Sequence, residues 1–179
     1  GSAGTGDRMV EAMDLSRGMS VLDCTLGFGA DAIVSSFAVG PEGRVTGIES
    51  QPLIETVVGY GLAHFKAENW PIQEAMRGIR TVCADAFDYL KEQPDDSVDV
   101  VYFDPMFRHP LLESRSLSPL RTVANHEPVS EVMIEEACRV ARRRVVFKEN
   151  ARSLEFERLG FTKIMGGRYS KVHYGVRIL

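Results

Sequence analysis

Strand-like and helix-like segments alternate five times along this chain of 179 residues, and this alternation constrains the fold most. Parallel strands need a crossover between them, usually a helix, so the alternation predicts a doubly wound α/β sheet. Two successive strand-like segments close the chain, which predicts one antiparallel strand. The predicted strands are 19–24, 44–49, 79–84, 98–103, 144–148, 161–165 and 172–178, and the predicted helices are 7–13, 30–38, 52–66, 86–91, one from 130, and 153–159.

The length fits a single domain over residues 1–179, and Gly1-Ser2 is typical of a cloning remnant, which leaves open a natural N-terminal extension. No apolar run approaches the roughly 20 residues that span a bilayer, and no signal-peptide pattern opens the chain. Three scattered cysteines predict buried thiols in a reducing cytoplasm rather than a disulfide framework or a metal site. With a net charge of −4, nucleic-acid binding would require a local basic patch.

A glycine-rich turn follows the first predicted strand. Glycine allows a tight turn and lets a ligand approach without Cβ clashes, and the free N–H groups of the next helix face that ligand. The spacing Gly27-x-Gly29-x-x-Ala32 fits the dinucleotide fingerprint, and Glu49 lies about 20 residues on, where that fingerprint has a ribose-binding acid. This segment alone is therefore consistent with a nicotinamide dinucleotide.

Acidic residues at the ends of the first three strands favour a different ligand, S-adenosylmethionine. A carboxylate at Asp23, directed into the crevice, would repel a pyrophosphate but attract the cationic amino-acid part of S-adenosylmethionine. Glu49 can accept from ribose hydroxyls, and Asp85 can accept from an adenine amino group or cap the following helix. The predicted cofactor-binding residues are Asp23, Thr25, Gly27, Gly29, Asp31, Glu49, Ser50, Asp85 and Ala86.

The segment Asp104-Pro105-Met106-Phe107 follows the apolar strand 98–103, at the strand end where open α/β sheets bind ligands. Amino-group methylases use the related pattern Asp/Asn-Pro-Pro-Tyr/Phe. An exocyclic amino group is a weak nucleophile, and hydrogen bonds to the Asp104 carboxylate and the Pro105 carbonyl would orient it, while Phe107 would stack on the base. We predict Asp104, Pro105 and Phe107 as catalytic; the alternative is a strand end followed by core residues.

Four segments together resemble the small-subunit ribosomal RNA guanine-N2 methyltransferases of the RsmJ type: VLDCTLGFGADA (21–32), ESQPLIETVVGYGL (49–62), VVYFDPMF (100–107) and RVVFK (144–148). The resemblance implies the class I methyltransferase fold, a Rossmann-like doubly wound sheet of seven strands in the order 3-2-1-4-5-7-6 with strand 7 antiparallel. It also implies S-adenosyl-L-methionine as cofactor, with S-adenosylhomocysteine as product.

Substrate contacts are predicted around the same strand ends, at Met106, Arg108 and Lys148. Lys148 ends the fifth strand, where it could bind a phosphate or be a solvated lysine. The long segment 108–128 contains a basic group that is the best local candidate for RNA binding, with an ordinary polar loop as the alternative. That group consists of Arg108, His109, Arg115 and Arg121.

The sequence thus predicts a cytoplasmic methyltransferase that acts on a guanine amino group in ribosomal RNA, naked or in the small ribosomal subunit, without a metal or a membrane partner. Three alternatives stay open. They are the same chemistry on another nucleic acid or a small molecule, a nicotinamide-dependent oxidoreductase, and a non-catalytic module that binds S-adenosylmethionine or RNA.

Overall fold

The chain forms one seven-stranded sheet covered by helices, as described for residues 5–105 and 128–179 by a computed structural model. In chain order the elements are α1 Thr5–Met13, β1 Ser20–Asp23, α2 Ala30–Val39, β2 Arg44–Glu49, α3 Pro52–His64, α4 Trp70–Arg77, β3 Ile79–Cys83, α5 Ala86–Glu92, β4 Val98–Phe103, α6 Glu131–Val140, β5 Ala141–Asn150, α7 Glu155–Arg158, β6 Lys163–Met165 and β7 Val172–Ile178.

The strand order is β3-β2-β1-β4-β5-β7-β6. The first five strands are parallel, and β7 runs antiparallel to both β5 and β6. The predicted fold class, strand order and antiparallel seventh strand are therefore confirmed.

The central strand β4 shows why the sheet is covered on both faces. Its last four residues are fully buried and alternate between two cores, because successive side chains of a strand point to opposite faces. Val100 and Tyr102 pack with α1, α2 and α3, whereas Val101 and Phe103 pack with α5, α6 and α7. Because both faces of β4 are buried, the sequence of its last four residues is a continuous apolar run.

Several element boundaries differ from the sequence prediction. The polar segment 67–78, expected to contain a loop and part of a helix, contains the complete helix α4, which starts where the Asn69 side chain accepts a hydrogen bond from Ile72 N at 3.2 Å. Strand β5 is longer than predicted, because its pairing with β7 continues to Asn150 opposite Val172. Strand β6 is shorter and begins at Lys163.

The carboxyl ends of the five parallel strands meet at one edge of the sheet, here called the catalytic edge, and ligands of open α/β sheets bind at such an edge. Because β7 is antiparallel, its first residues reach the catalytic edge as well. Within the described part of the chain, no helix has both the length and the apolar character needed to cross a membrane.

Candidate active site

The glycine-rich turn after β1 adopts a backbone that depends on its glycines. Gly27 and Gly29 have φ angles of 51° and 85°, in the left-handed region that residues with a Cβ rarely adopt. Leu26 N–H donates to Ile48 O at 2.9 Å, which fixes the turn against β2. Gly29 directly precedes α2, so the free N–H groups of that helix begin at the turn.

Beside this turn lies a cavity of about 210 Å³, here called the β2–β3 cavity, at the carboxyl ends of β2 and β3. Apolar side chains from both halves of the sheet and from α6 form part of its wall, and the acids at the strand ends form its polar part. Among its lining residues are Thr25, Ile48, Glu49, Ser50, Asp85, Ala86, Phe103 and Met133. The cavity therefore brings together five of the nine predicted cofactor-binding residues, namely Thr25, Glu49, Ser50, Asp85 and Ala86.

Glu49 is almost completely buried, with 4% of its surface exposed. One of its carboxylate oxygens accepts a hydrogen bond from Gln51 N at 3.0 Å. Burial raises the pKa of Glu49, while hydrogen bonds from the backbone of Gln51, Gly27 and Ser50 act in the opposite direction. The carboxylate is thus held by backbone N–H groups rather than by a cation.

Asp85 lines the same cavity and also caps α5, since its Oδ1 accepts from Asp88 N at 2.9 Å. The capping interpretation is therefore confirmed. A carboxylate has about four lone-pair positions, so the cap leaves acceptor capacity on the cavity side. The contact with an adenine amino group stays a prediction.

Asp23 does not face the crevice as the sequence suggested. It is 1% exposed, and its Oδ1 accepts from Thr25 N at 2.9 Å and from Thr25 Oγ1 at 3.1 Å. Burial, together with the nearby charges of Asp31 and Asp104, raises the pKa of Asp23 to about 7. Its side chain lies beneath the turn, where it holds the backbone in place.

Next to Asp23 lies a charged group, here called the lysine cluster, which consists of Asp31, Tyr102, Asp104 and Lys148. Lys148 Nζ is 3.1 Å from Asp31 Oδ2 and 3.5 Å from Asp104 Oδ2. The Tyr102 hydroxyl donates to Asp31 Oδ2 at 2.6 Å. Burial lowers the pKa of Lys148, but the two carboxylates outweigh it and raise the pKa above its ordinary value.

Lys148 is therefore not a solvated lysine, since its side chain is only 14% exposed. Asp31 lies in this cluster and is absent from the lining of the β2–β3 cavity, although the sequence grouped it with the cofactor residues. Tyr102 was missed by the sequence reasoning. A tyrosine within the apolar run of β4 was the available signal, because a buried hydroxyl usually requires a hydrogen-bond partner.

One hydroxyl joins the cavity to the cluster. Thr25 Oγ1 donates to Asp23, and it accepts from Asp104 N at 2.7 Å. Asp104 and Pro105, directly after β4, are half-buried. The site elements are thus connected by hydrogen bonds as well as by the fold.

Three predicted site residues, Met106, Phe107 and Arg108, lie outside the described residues, as do His109, Arg115 and Arg121. Across residues 5–105 and 128–179, no group of three or more His, Cys, Asp and Glu side chains is arranged to hold a metal ion.

Comparison with known proteins adds independent information. A family model described as "Putative SAM-dependent methyltransferase" matches residues 1–163. The Bacillus subtilis protein YpiP, described as uncharacterized, is 44% identical over 173 residues, which cover 97% of this chain and 67% of YpiP. Ribosomal RNA small subunit methyltransferase J of Pseudomonas fluorescens is 29% identical over 150 residues, covering 81% of this chain and 56% of that enzyme.

Solved structures of similar fold include two bacterial proteins described as SAM-dependent methyltransferases. The Aquifex aeolicus protein has a TM-score of 0.62 at 15% identity and covers 98% of this chain and 90% of its own. The Neisseria gonorrhoeae protein has a TM-score of 0.65 at 19% identity, with coverages of 97% and 71%. At these identities the likeness concerns the fold.

Proposed function

The chain belongs to the family of S-adenosylmethionine-dependent methyltransferases, and we propose that it methylates the exocyclic amino group of a guanine in small-subunit ribosomal RNA. Membership of this family identifies S-adenosylmethionine as the cofactor, so the nicotinamide alternative raised by the glycine spacing is not retained. The chain spans 67% of YpiP and about half the length of the ribosomal RNA methyltransferases that it matches, so the substrate is part of the proposal.

The residues of the β2–β3 cavity fit this cofactor. Glu49 and Asp85 offer acceptors for ribose hydroxyls and an adenine amino group, and Ile48, Phe103 and Met133 supply apolar surface for a flat ring. The glycine turn allows close approach of the ligand to the backbone. The carboxylates of Asp23, Asp31 and Asp104 lie close enough to affect one another's ionisation, which makes this side favourable for the cofactor's positive charge.

When bound, S-adenosylmethionine supplies a methyl group attached to a positively charged sulfur, which leaves as the neutral thioether of S-adenosylhomocysteine. The chain's own residues orient the acceptor. The Asp104 carboxylate and the Pro105 carbonyl accept hydrogen bonds from the amino group and hold its nitrogen in line with the methyl carbon. Because proline fixes φ, the position of Pro105 is restricted before the substrate binds.

The position of Asp104 is the observation that carries the proposal. Its backbone N–H is bound to Thr25 Oγ1 at 2.7 Å, at the lip of the glycine turn, and its carboxylate lies 3.5 Å from Lys148 Nζ. This geometry supports a role for Asp104 as the acceptor for a substrate amino group beside the predicted cofactor residues. A carboxylate oriented by a lysine has a fixed direction, which suits alignment of a weak nucleophile.

The choice of ribosomal RNA rests on sequence. The motifs from 21–32 and 100–107 resemble the RsmJ type, and several curated relatives carry the name ribosomal RNA small subunit methyltransferase J. Asp104-Pro105 is equally suited to an amino group of another nucleic acid or of a small molecule. A cytoplasmic location follows from the proposed substrate and is part of the same proposal.

The substrate can be tested by comparing ribosomal RNA from a strain that lacks the protein with RNA from its parent. We expect one guanine of the small-subunit RNA to lose a methyl group, and purified protein should restore it. If every ribosomal RNA methyl group persists in the deletion strain, the ribosomal substrate is wrong, although the methyltransferase family assignment is unaffected.

The role of Asp104 is tested with Asp104→Ala and Asp104→Asn. We expect methyl transfer to fall by roughly 100-fold or more in Asp104→Ala, the scale seen when one positioned polar group is removed from an active site, and to fall less in Asp104→Asn, whose amide oxygen still accepts a hydrogen bond. Thermal stabilisation by S-adenosylhomocysteine should persist in both variants, whereas NAD should stabilise neither variant nor the wild type. Wild-type rates in Asp104→Ala would exclude Asp104 from catalysis, and absence of turnover in the wild type would favour a non-catalytic binding module.

A further inference from the structure

The connection between β6 and β7 lies at the catalytic edge. The sequence analysis treated it only as the link between the two strands that close the chain. The register of β5 and β7 pairs Lys148 with Tyr174 and Asn150 with Val172, so residues 166–171 continue beyond the carboxyl end of β5. Ala151 N–H donates to Lys171 O at 2.8 Å, which fixes the loop to the end of that strand. The loop therefore stands beside the lysine cluster.

This loop, with the sequence Gly-Gly-Arg-Tyr-Ser-Lys, presents an exposed aromatic ring among cations. Tyr169 is 88% exposed, and the Arg168 guanidinium lies 5.5 Å from the centre of its ring. The backbone below is ordered, since Ser170 N–H donates to Gly167 O at 3.0 Å and His173 Nε2 lies 3.0 Å from the same oxygen. An ordered loop thus holds a ring that buries almost none of its own surface.

Four cationic side chains belong to the loop or to segments that adjoin it. Arg168 and Lys171 belong to the loop, Arg152 follows the end of β5, and Arg8 of α1 packs against Gly167, where a Cβ would lie 2.4 Å from its guanidinium. Within the part of the chain that the structure describes, none of the four forms an ion pair with a carboxylate.

The opposite edge of the sheet shows the contrast. There Arg139 and Arg142 are paired with Asp95 and Asp99 at 2.7 Å and 3.1 Å. The cations beside Tyr169 instead remain available to an anionic ligand, in a chain whose net charge is −4. Glu11 and Glu149 are the acids nearby, the first in the adjoining groove and the second next to Asn150.

The groove next to the loop extends to Tyr174, which is opposite Lys148 in the pairing of β7 with β5. A cavity of about 240 Å³ is lined by Arg8, Glu11, Met165, Gly166, Gly167 and Tyr174. Tyr174 is close enough to Lys148 that the lysine's charge affects its ionisation. The groove therefore lies between the loop and the strand position beside Lys148.

We propose that the loop 166–171, together with Arg8 and Arg152, binds single-stranded RNA next to the nucleotide that is methylated. Tyr169 stacks on an unpaired base, and the cations contact the flanking phosphates. An exposed aromatic ring among unpaired arginine and lysine side chains is the arrangement that recognises unpaired bases and their backbone. The proposal rests on the proposed function, because it assigns the RNA contact of that same site.

The decisive variants are Tyr169→Ala and Tyr169→Phe, assayed for methyl transfer to an unmodified transcript of small-subunit ribosomal RNA. We expect Tyr169→Ala to raise KM for RNA about ten-fold, with kcat within about two-fold of the wild type, because stacking on one base is worth ~1–3 kcal/mol. Tyr169→Phe keeps the ring and should remain close to the wild type. Tyr60→Ala, which removes another exposed tyrosine from the middle of α3, is the matched control and should change neither constant.

The cations are tested by the salt dependence of RNA binding to protein saturated with S-adenosylhomocysteine. Replacing both Arg168 and Lys171 by alanine should lower the slope of log K against log salt by about 1.4, since each phosphate contact to a single strand contributes about 0.7. A variant with alanine at Arg44 and Arg143 loses the same charge from exposed positions at the amino ends of β2 and β5, and its slope should not change.

An unchanged KM in Tyr169→Ala and an unchanged slope in the doubly substituted variant would overturn the loop assignment while the proposed function stands. Failure of the wild type to methylate any ribosomal RNA, free or in the small subunit, would overturn both. The two failures are distinguishable, because failure of the loop assignment is measured with the variants and failure of the proposed function is measured with the wild-type protein.

Discussion

The β2–β3 cavity and the lysine cluster lie side by side at the catalytic edge but hold their acids in different ways. Asp85 accepts from the backbone N–H of Asp88, three residues on, and Glu49 accepts from the backbone N–H groups of Ser50 and Gln51 as well as from Gly27 of the glycine turn. In the described parts of the chain, neither of them forms an ion pair. Asp31 and Asp104 instead share Lys148, which is 117 residues from Asp31.

This difference separates the β2–β3 cavity, whose acids are oriented mainly by neighbouring residues, from the lysine cluster, which forms only when distant strands come together in the fold. The acids of the cavity are oriented by backbone N–H groups, mainly those of the turn or helix start that follows them, and they keep acceptor capacity for ribose hydroxyls and an adenine amino group. The lysine cluster balances charge between distant strands, which fixes the direction of Asp104. The variants below break one arrangement while leaving the other in place.

The largest effect is expected from Lys148→Met, which leaves Asp31 and Asp104 without their cation. Removing one partner of a buried ion pair is strongly destabilising, and because both acids are partly exposed we expect a loss of about 3 kcal/mol in the free energy of unfolding. Urea denaturation at neutral pH measures it. Methyl transfer should fall as well, while the β2–β3 cavity remains intact.

Lys91→Met is the matched control, since it breaks the exposed pair between Lys91 and Asp88 at 3.2 Å and should change stability by less than about 1 kcal/mol. Adding Asp31→Asn to Lys148→Met should recover part of the lost stability, because one uncompensated carboxylate is then removed. Equal losses in the two lysine variants would show that the lysine cluster is no more than a surface network.

The contrast between local and distant contacts also explains which features of the fold and of the site could be predicted from the sequence. The alternation of elements, the glycine turn and the acids that end β2 and β3 depend on neighbouring residues, and the sequence analysis identified them. The pairing of Lys148 with Asp31 could not be found that way, because it depends on the neighbourhood of β1, β4 and β5. The burial of Asp23 was missed for the same reason, since it depends on β2 and β4, which flank β1 in the sheet.

Asp23 provides the next largest effect, a dependence of stability on pH. Its pKa is raised from 3.8 to about 7 by burial, so the folded state binds an extra proton between these values. The free energy of unfolding should therefore decrease as the pH rises from about 4 to about 7. Allowing for relaxation around the charge, we expect this decrease to be about 2 kcal/mol larger in the wild type than in Asp23→Asn.

Asp99→Asn supplies a control of opposite sign. Burial of Asp99 is outweighed by hydrogen bonds from Arg142 and Ser20, which lower its pKa, so its contribution is lost only as the pH falls. Chemical denaturation between pH 3 and pH 8 distinguishes the two variants, because the Asp99 contribution is lost below its ordinary pKa of 3.8 and the Asp23 contribution is lost above that value. If wild type and Asp23→Asn lose stability in parallel over that range, then Asp23 is ionised throughout, and the charges in the site are not coupled as described.

A smaller effect is expected from Glu49→Gln, which acts on the β2–β3 cavity alone. The amide keeps the size of the side chain but loses the charge that the backbone N–H groups of Gly27, Ser50 and Gln51 stabilise. We expect the affinity for S-adenosylhomocysteine, measured by titration calorimetry, to fall about ten-fold, the low end for hydrogen bonds to a charged group. At saturating cofactor, kcat should change little, because the lysine cluster is untouched.

The smallest effect is expected from Thr25→Val, and it concerns the hydroxyl that joins the two regions. Valine has the shape of threonine but can neither donate to Asp23 nor accept from Asp104 N, which now lie 3.1 Å and 2.7 Å from Thr25 Oγ1. Only the hydrogen bond from Asp104 N bears on the alignment of Asp104, and the loss of one hydrogen bond is worth about 1 kcal/mol, so we expect kcat to fall by about five-fold. Thr25→Ser keeps both hydrogen bonds and should retain the wild-type rate. If the affinity for S-adenosylhomocysteine falls as much as kcat, Thr25 serves the cavity rather than the alignment of Asp104, and the two regions are less separable than their hydrogen bonds indicate.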